Sequence, residues 1–195
     1  MRLTMYAAAL AVRLPDAEIN EEKIAEIRGW RLPITGIPRR PVSSFCRGLQ
    51  IILDRREPLT PFFGDQTHLV NTIRRIAGNE NISVVQFVNH PRWVFDIDKK
   101  QTAPYSFPVS PVPILLVSDL GIRVSTLATD FVSPGEWVAF AQDATKAHCP
   151  VVALVPYPPH RWPAAVTEEI ITLEWDRNTT AGAVRRRIGP GLELP

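Results

Sequence analysis

Apolar residues cluster in short runs along the chain, and these runs predict the strands of a β-sheet. Four runs are almost continuously apolar, which is typical of strands covered on both faces in a parallel sheet. They occupy residues 49–54, 82–88, 113–119 and 151–155. Two shorter runs, at residues 93–97 and 170–173, predict an edge strand and a last strand. We therefore expect the four long runs to form adjacent parallel strands.

Helical periodicity alternates with the strand runs. Residues 65–77 carry apolar side chains on one helical face and end at a capping Gly78, while residues 20–28 and 180–188 predict two further helices. Ser133-Pro-Gly-Glu136 is a capping box with proline at the first helical position, so it predicts a helix start. The alternation predicts an α/β fold: a doubly wound, mostly parallel sheet with helices on both faces, in a Rossmann-like three-layer sandwich.

The first 45 residues depart from this pattern. Residues 3–12 predict a short helix or an edge strand, and residues 29–45, with three prolines, resemble a linker. We therefore expect two regions, an N-terminal helix and proline-rich extension at residues 1–45 and the α/β domain at residues 46–195.

Composition and charge narrow the classes of function. Hydrophobic residues make up 45% of the 195-residue chain and charged residues 22%, which is typical of a globular domain. The formal net charge of +2 is far from the basic field that non-specific nucleic-acid binding requires.

No apolar run reaches the ~18 residues of a membrane-spanning helix. The first residues resemble a secretory signal only weakly, because Arg13 ends the apolar stretch early. With two cysteines, too few for a disulfide framework, we expect a cytoplasmic protein that binds neither nucleic acid nor membrane.

Two aspartates follow long apolar runs. Asp54 ends the first run and Asp119 ends the third. The carboxyl ends of parallel strands meet at one edge of a sheet, and a functional crevice lies there where the strand order reverses. Neighbouring strands would place both carboxylates at this crevice. In the alternative, these aspartates only cap helices or accept backbone hydrogen bonds in turns.

A family resemblance involves the same residues. The segment LQIILDRREPLTPFF at residues 49–63, the helix that follows it and PILLVSDLG at residues 113–121 resemble the first and fourth strands of a von Willebrand factor A-like domain. CPVVALVPYPPHRWP, at residues 149–163, is similar to a segment of bacterial members encoded beside AAA+ or STAND-type ATPases in conflict and defence systems. The resemblance covers residues 48–188. It implies a non-catalytic protein-interaction module, an adaptor or scaffold, whose protein partner is such an ATPase.

The resemblance also implies a degenerate metal-ion-dependent adhesion site. The family holds Mg²⁺ with an Asp-x-Ser-x-Ser loop, a threonine and a second aspartate; Asp54 and Asp119 match the aspartates, whereas Arg56 and Pro58 replace the serines. A hard cation needs oxygen ligands, which arginine and proline side chains do not offer, so we expect no cofactor, Mg²⁺ included. We expect instead that the Arg56 guanidinium lies between the two carboxylates as a built-in cation.

The expected binding surface combines the strand tips with an aromatic segment after the fourth long run. Tyrosine, tryptophan and arginine are the residue types most often found at interface hot spots. The candidate binding residues are Asp54, Arg56, Glu57, Asp119, Tyr157, Arg161 and Trp162.

Two other classes of function stay open. The first is a metal-dependent hydrolase or nuclease in which Asp54, Glu57 and Asp119 hold Mg²⁺. The second is a nucleotide-sensing or purely structural role. The chain has no Gly-x-Ser-x-Gly nucleophile elbow and no glycine-rich phosphate loop, which argues against an enzyme.

Overall fold

A seven-stranded sheet forms the centre of the computed structural model, which describes residues 12–30, 37–44, 48–88, 90–123 and 132–176. In chain order the strands are β1 (Val12–Ile19), β2 (Arg39–Ser44), β3 (Leu49–Asp54), β4 (Ile82–Phe87), β5 (Trp93–Asp96), β6 (Gln101–Pro104), β7 (Ile114–Val117), β8 (Val151–Val155) and β9 (Ile171–Glu174). The helices are α1 (Glu21–Gly29), α2 (Phe63–Ala77), α3 (Pro134–Lys146) and α4 (Ala164–Glu169). The order across the main sheet is β6-β5-β4-β3-β7-β8-β9.

The four long apolar runs form adjacent parallel strands, as the sequence predicts. β3 pairs in parallel with β4 on one side and with β7 on the other, and β7 pairs in parallel with β8. Every residue of β3, β7 and β8 is buried, because helices cover both faces of this part of the sheet.

Alternate residues of β3 point into two separate apolar clusters. Leu49, Ile51 and Leu53 pack with the buried face of α2, whereas Ile52 packs on the opposite side with α3 and α4. The molecule therefore has three layers, α2 on one side of the sheet and α3 with α4 on the other, which confirms the predicted α/β class.

The caps that the sequence predicts set the positions of the helices. Ser133 Oγ accepts from the Glu136 backbone N–H at 3.3 Å, and Glu136 Oε2 accepts from the Ser133 N–H at 2.8 Å, so the capping box is complete. α2 begins at Phe63, two residues before the predicted start, and Gly78 ends it with φ 87°. α1 follows Asn20, whose side chain accepts from the Lys23 N–H at 3.0 Å.

Two predictions about strands were wrong. β5 is not an edge strand, because β6 pairs with it antiparallel and takes the edge. The expected linker contains β2, which pairs antiparallel with β1 in a separate two-stranded sheet. β2 reads Arg-Arg-Pro-Val-Ser-Ser, which lacks the apolar alternation of a strand. Its pairing partner, 20 or more residues upstream, therefore determines its conformation.

The predicted helix at residues 180–188 and most of the run at residues 3–12 lie outside the described residues.

No helix within the described ranges is long and apolar enough to cross a membrane. The boundary between an N-terminal region and the α/β domain near residue 45 stays a prediction.

We expect the substitution Leu115→Asp to prevent folding. Leu115 is fully buried in β7 beneath α2, and an unpaired charge there costs several kcal/mol against a typical stability of about 5 to 15 kcal/mol. Thr102→Asp, at an exposed position of the edge strand β6, is the matched control and should unfold like the wild type. A cooperative thermal transition of the Leu115→Asp protein, followed by circular dichroism, would contradict the buried placement.

Candidate functional site

The point where the strand order reverses lies between β3 and β7. From β3 the chain passes through α2 to β4 on one side, and it later returns to β7 on the other side. The loops that follow β3 and β7 therefore leave the sheet in opposite directions. Parallel sheets form a crevice at such a point. Asp54 is the last residue of β3 and Asp119 follows β7 by two residues, so both carboxylates lie at this crevice.

The Arg56 guanidinium lies between the two carboxylates. Arg56 Nη2 is 2.5 Å from Asp54 Oδ2 and 2.7 Å from Asp119 Oδ1, and Arg56 Nε donates to Asp54 Oδ1 at 2.9 Å. Asp54 and Asp119 are 0% exposed and Arg56 is 1% exposed. The sequence-based prediction of a guanidinium between these two aspartates therefore matches the geometry.

Additional donors surround Asp54. Ser118 Oγ donates to Asp54 Oδ2 at 2.7 Å, and the backbone N–H of Arg56 donates to Asp54 Oδ1 at 3.0 Å. Gln66, in the first turns of α2, donates from Nε2 to the Asp54 carbonyl oxygen at 2.9 Å. The end of β3 is thus tied to β7 through Ser118 and to α2 through Gln66.

Asp119 organises the loop after β7. Its Oδ1 accepts from the Gly121 N–H at 3.0 Å and its Oδ2 from the Arg123 N–H at 3.1 Å. Between them, Leu120 is 0% exposed and adopts φ 55°, while its N–H donates to Ser118 Oγ at 3.0 Å. A positive φ is costly for a leucine, so the buried hydrogen bonds and the burial of the Leu120 side chain hold this turn in place.

The loop after β3 is built around Arg56. A 3₁₀ helix at Glu57–Phe62 follows Arg56 directly, with Pro58 in its first turn, and the Leu59 N–H donates to the Arg56 carbonyl oxygen at 3.0 Å. The Arg56 Cζ atom also lies 5.9 Å from the centre of the Phe87 ring at the end of β4. The guanidinium is therefore enclosed by the tips of three neighbouring strands.

Opposing effects act on the charges of this cluster. Burial raises the pKa of the Asp54 carboxyl, and the hydrogen bonds and charge of Arg56, with the Ser118 hydroxyl, act against that rise. Burial also acts to lower the pKa of Arg56, but hydrogen bonds and charges from Asp54 and Asp119 outweigh burial and raise it. The guanidinium consequently stays charged at every physiological pH, whereas burial acts against the charged form of Asp54.

The aromatic segment after β8 centres on Tyr157. The Arg161 Cζ atom lies 5.1 Å from the centre of the Tyr157 ring, and Phe62 meets that ring edge-on at 6.1 Å. Trp162 is half-buried, with Nε1 donating to the Tyr157 carbonyl oxygen at 2.7 Å. The exposed Arg123 guanidinium hydrogen-bonds to Tyr157, which raises the pKa of Arg123. An exposed arginine pair thus flanks one tyrosine.

The predicted site residues divide into two layers. Asp54, Arg56 and Asp119 form the buried floor, whereas Tyr157 and Arg161 form part of the surface. Glu57 is exposed on the 3₁₀ helix, and its negative charge acts on Arg123. Trp162 contributes partly to the core, since it packs against the cluster beneath α3 and α4.

Three contributing residues were missed by sequence reasoning. Ser118 directly precedes Asp119 at the end of a strand run, a position that could have indicated it. Gln66 and Arg123 carry no such signal, because their roles depend on the distance between elements far apart in the chain.

The donors at this crevice do not fit a Mg²⁺ ion. Mg²⁺ demands about six oxygen ligands in octahedral geometry, whereas the space between the two carboxylates is filled by guanidinium nitrogens at 2.5 and 2.7 Å. Within the ranges that the structure describes, no group of three or more His, Cys, Asp or Glu side chains is arranged to hold a metal ion.

The sequence matches no model of a known protein family, and it matches no curated protein. Function is therefore inferred from the geometry of the crevice and of the surface above it.

We expect Arg56→Met to lower the free energy of unfolding by about 3 to 5 kcal/mol at pH 7, because two buried carboxylates lose their cation. Without the guanidinium, burial and the charge of Asp119 raise the Asp54 pKa, and the Ser118 hydroxyl opposes this rise without help from Arg56. A group whose pKa is higher in the folded state than in the unfolded state stabilises the fold at a pH below its unfolded-state pKa. This stabilisation is lost as the pH rises through the folded-state pKa. The deficit of the variant should therefore shrink as the pH is lowered from about 7 towards 5.

Urea unfolding at both pH values measures this effect. Arg75→Met, at an exposed position of α2, is the matched control and should stay close to the wild type at each pH. A deficit of the Arg56→Met protein below about 1 kcal/mol, or one that does not change with pH, would show that the guanidinium does not neutralise buried carboxylates.

Proposed function

We propose that this protein is a non-catalytic interaction module, an adaptor or scaffold, that binds a protein partner through the loops at the carboxyl ends of its strands. The observation that carries the proposal is the Arg56 guanidinium between two fully buried carboxylates. In an enzyme, these three residues would be expected to contact the substrate. Here they contact one another and the backbone of their own loops.

A hydrolase that uses Asp54, Glu57 and Asp119 is less consistent with this geometry. Metal-assisted hydrolysis needs carboxylates with open coordination positions beside a substrate. Asp54 accepts from Arg56 and Ser118, and Asp119 from Arg56 and two backbone N–H groups. Each of the four carboxylate oxygens of this pair already accepts at least one hydrogen bond.

Within the proposal, the domain is of the von Willebrand factor A-like type with a degenerate metal site. Its support is the sequence of strand, Asp-containing loop and helix at β3 and α2, together with the second aspartate after the neighbouring β7. The family resemblance suggests an AAA+ or STAND-type ATPase of a bacterial defence system as the partner.

The surface above the floor has the composition of a contact site. Tyr157, Arg161 and Arg123 present a large ring and two charged groups at the strand tips. Arg123 is linked to the floor because its backbone N–H donates to Asp119. The floor therefore orients the surface that we assign to the partner.

We expect Arg161→Ala to weaken binding of the partner by about fivefold or more without lowering the melting temperature, because its guanidinium is exposed and stacked on Tyr157. Proteins retained by the immobilised wild-type domain would be identified by mass spectrometry, and the affinity of the purified partner measured by calorimetry. Arg75→Ala on α2 is the control. If the Arg161→Ala and Trp162→Ala variants both bind like the wild type, the contact lies elsewhere.

A second test separates the adaptor from the hydrolase. In Arg56→Ser, a hydroxyl oxygen replaces the guanidinium between the carboxylates, so a cation site is partly restored. We expect Mg²⁺ or Mn²⁺ to raise the melting temperature of this variant by about 3 °C or more, and to leave that of the wild type unchanged. The rise should disappear when Asp119→Ala is added. Saturable Mg²⁺ binding to the wild type, lost in Asp54→Ala, would instead support the hydrolase.

A further inference from the structure

A cavity lies on the α3 side of the sheet, over β4, β5 and β6. The connection from β4 to β7 contains the β5–β6 hairpin and residues 105–113, and its described part holds no helix. In a layered α/β domain helices cover the faces of the sheet, so a connection without one leaves sheet surface unfilled. The cavity has a volume of about 770 Å³, which is within the range of small-molecule sites.

One face of the sheet forms the floor of this cavity. Gln50 of β3 lies opposite Ser83 of β4, and Val85 follows Ser83 on the same face two residues later. Asp96 of β5 lies opposite Val85, and Gln101 of β6 lies opposite Asp96. All of these residues line the cavity. Because Gln50 is the second residue of β3, the cavity lies away from the charged cluster at the other end of that strand.

Gln50 carries a hydrogen-bonding group that the described part of the chain does not use. Its side chain is 6% exposed, in a strand whose other residues before Asp54 are apolar. The Tyr105 hydroxyl donates to Gln50 Oε1 at 2.7 Å, whereas Gln50 Nε2 has no hydrogen-bond partner among the described residues. An unpaired amide N–H in a buried position costs free energy, so Nε2 is available to an acceptor in the cavity.

The charged side chains of the cavity disfavour an anion. Asp96 Oδ2 is 3.2 Å from Lys99 Nζ, so this cation already has a carboxylate partner. Asp98 Oδ1 is 2.6 Å from Arg74 Nη2, and Glu80, which also lines the cavity, is exposed. A cation is not favoured at the floor either, because the buried amide presents N–H groups there.

Uncharged polar side chains outnumber the charged ones in the lining. An amide offers separate donor and acceptor atoms, and a hydroxyl donates and accepts through one atom. A ligand with several hydroxyl groups can pair with both kinds, because each of its hydroxyls is itself a donor and an acceptor. The uncharged polar residues of the lining include Gln50, Asn79, Ser83, Gln101, Ser106 and Ser110.

We propose that this cavity binds an uncharged polyhydroxylated molecule, a monosaccharide or short oligosaccharide, and that one of its hydroxyl oxygens accepts from Gln50 Nε2. The buried amide fixes one hydroxyl, and the exposed amides and hydroxyls of the lining contact others. The site is separate from the surface that we assign to a protein partner, so it does not rest on the proposed function.

The test adds D-glucose, D-galactose and D-mannose, one at a time, to the full chain. The Gln50 side-chain amide and the Tyr105 ring are followed by nuclear magnetic resonance. We expect saturable shifts with at least one hexose at a millimolar dissociation constant. The uronate of that hexose, and cyclohexanol, should bind about fivefold or more weaker, because one adds a negative charge and the other lacks all but one hydroxyl.

Two results would overturn the proposal. The first is the absence of a saturable shift with all three hexoses. The second is binding of the uronate, the amino sugar or cyclohexanol at least as tight as that of the hexose, because the site would then select a charge or an apolar ring rather than uncharged hydroxyls.

Substitutions on the floor locate the site. Gln50→Met removes the amide and keeps the length of the side chain, so it should weaken binding of the hexose about fivefold or more. Gln86→Met, on the opposite face of β4, is the matched control and should bind like the wild type. Unchanged affinity in Gln50→Met would contradict the assigned hydrogen bond.

Variants at exposed positions keep the test valid if Gln50→Met does not fold. Ser83→Ala and Gln101→Ala should each weaken binding about twofold or more, because each removes a hydrogen-bonding group of the lining. Thr102→Ala, on the opposite face of β6 from Gln101, is the control. Wild-type affinity in both Ser83→Ala and Gln101→Ala would show that no sugar lies on this face of the sheet.

Discussion

The contact between Arg56 and the two carboxylates is the interaction on which the loops at the strand tips depend. Burial of three charges is costly, and the cost is offset only if each charge meets partners of good geometry. Both carboxylates receive the guanidinium and further donors from Ser118 or the backbone, all at 2.5 to 3.1 Å. Any movement of either loop would break several of these contacts together, so the two loops are coupled.

The sheet topology places these charges together. Residues 54 and 119 are far apart in the chain, but the parallel pairing of β3 with β7 brings their strands side by side in matched register, with Leu53 opposite Val117. The apolar clusters on the two faces determine this pairing, since a shift by one residue would move alternate side chains to the wrong face. The geometry of the charged cluster is therefore a consequence of apolar packing several residues away.

The sequence predicts the parts of the molecule whose causes are local. The central strands follow from continuous apolar runs, and the start of α3 follows from Ser133 and Glu136. Arg56 could be placed because it lies two residues after Asp54, at a position where the family that the segment resembles has a metal-ligating serine. β2 and β6 were missed because their conformation comes from pairing with strands elsewhere in the chain. A single sequence gives no distances between such elements.

The division into a buried floor and an exposed surface separates residues that stabilise the loops from residues that are accessible to solvent. Charges that compensate one another below the surface leave little field to attract a ligand, because a desolvated ion pair acts mainly on its immediate neighbours. Arg161 lies over the Tyr157 ring and Arg123 hydrogen-bonds to Tyr157, and both arginines are exposed to water. If the surface binds the partner that we propose, substitutions in the floor should act through folding, and substitutions on the surface through binding. The hydrolase alternative would not allow this separation, because its reacting groups would have to be both desolvated and accessible.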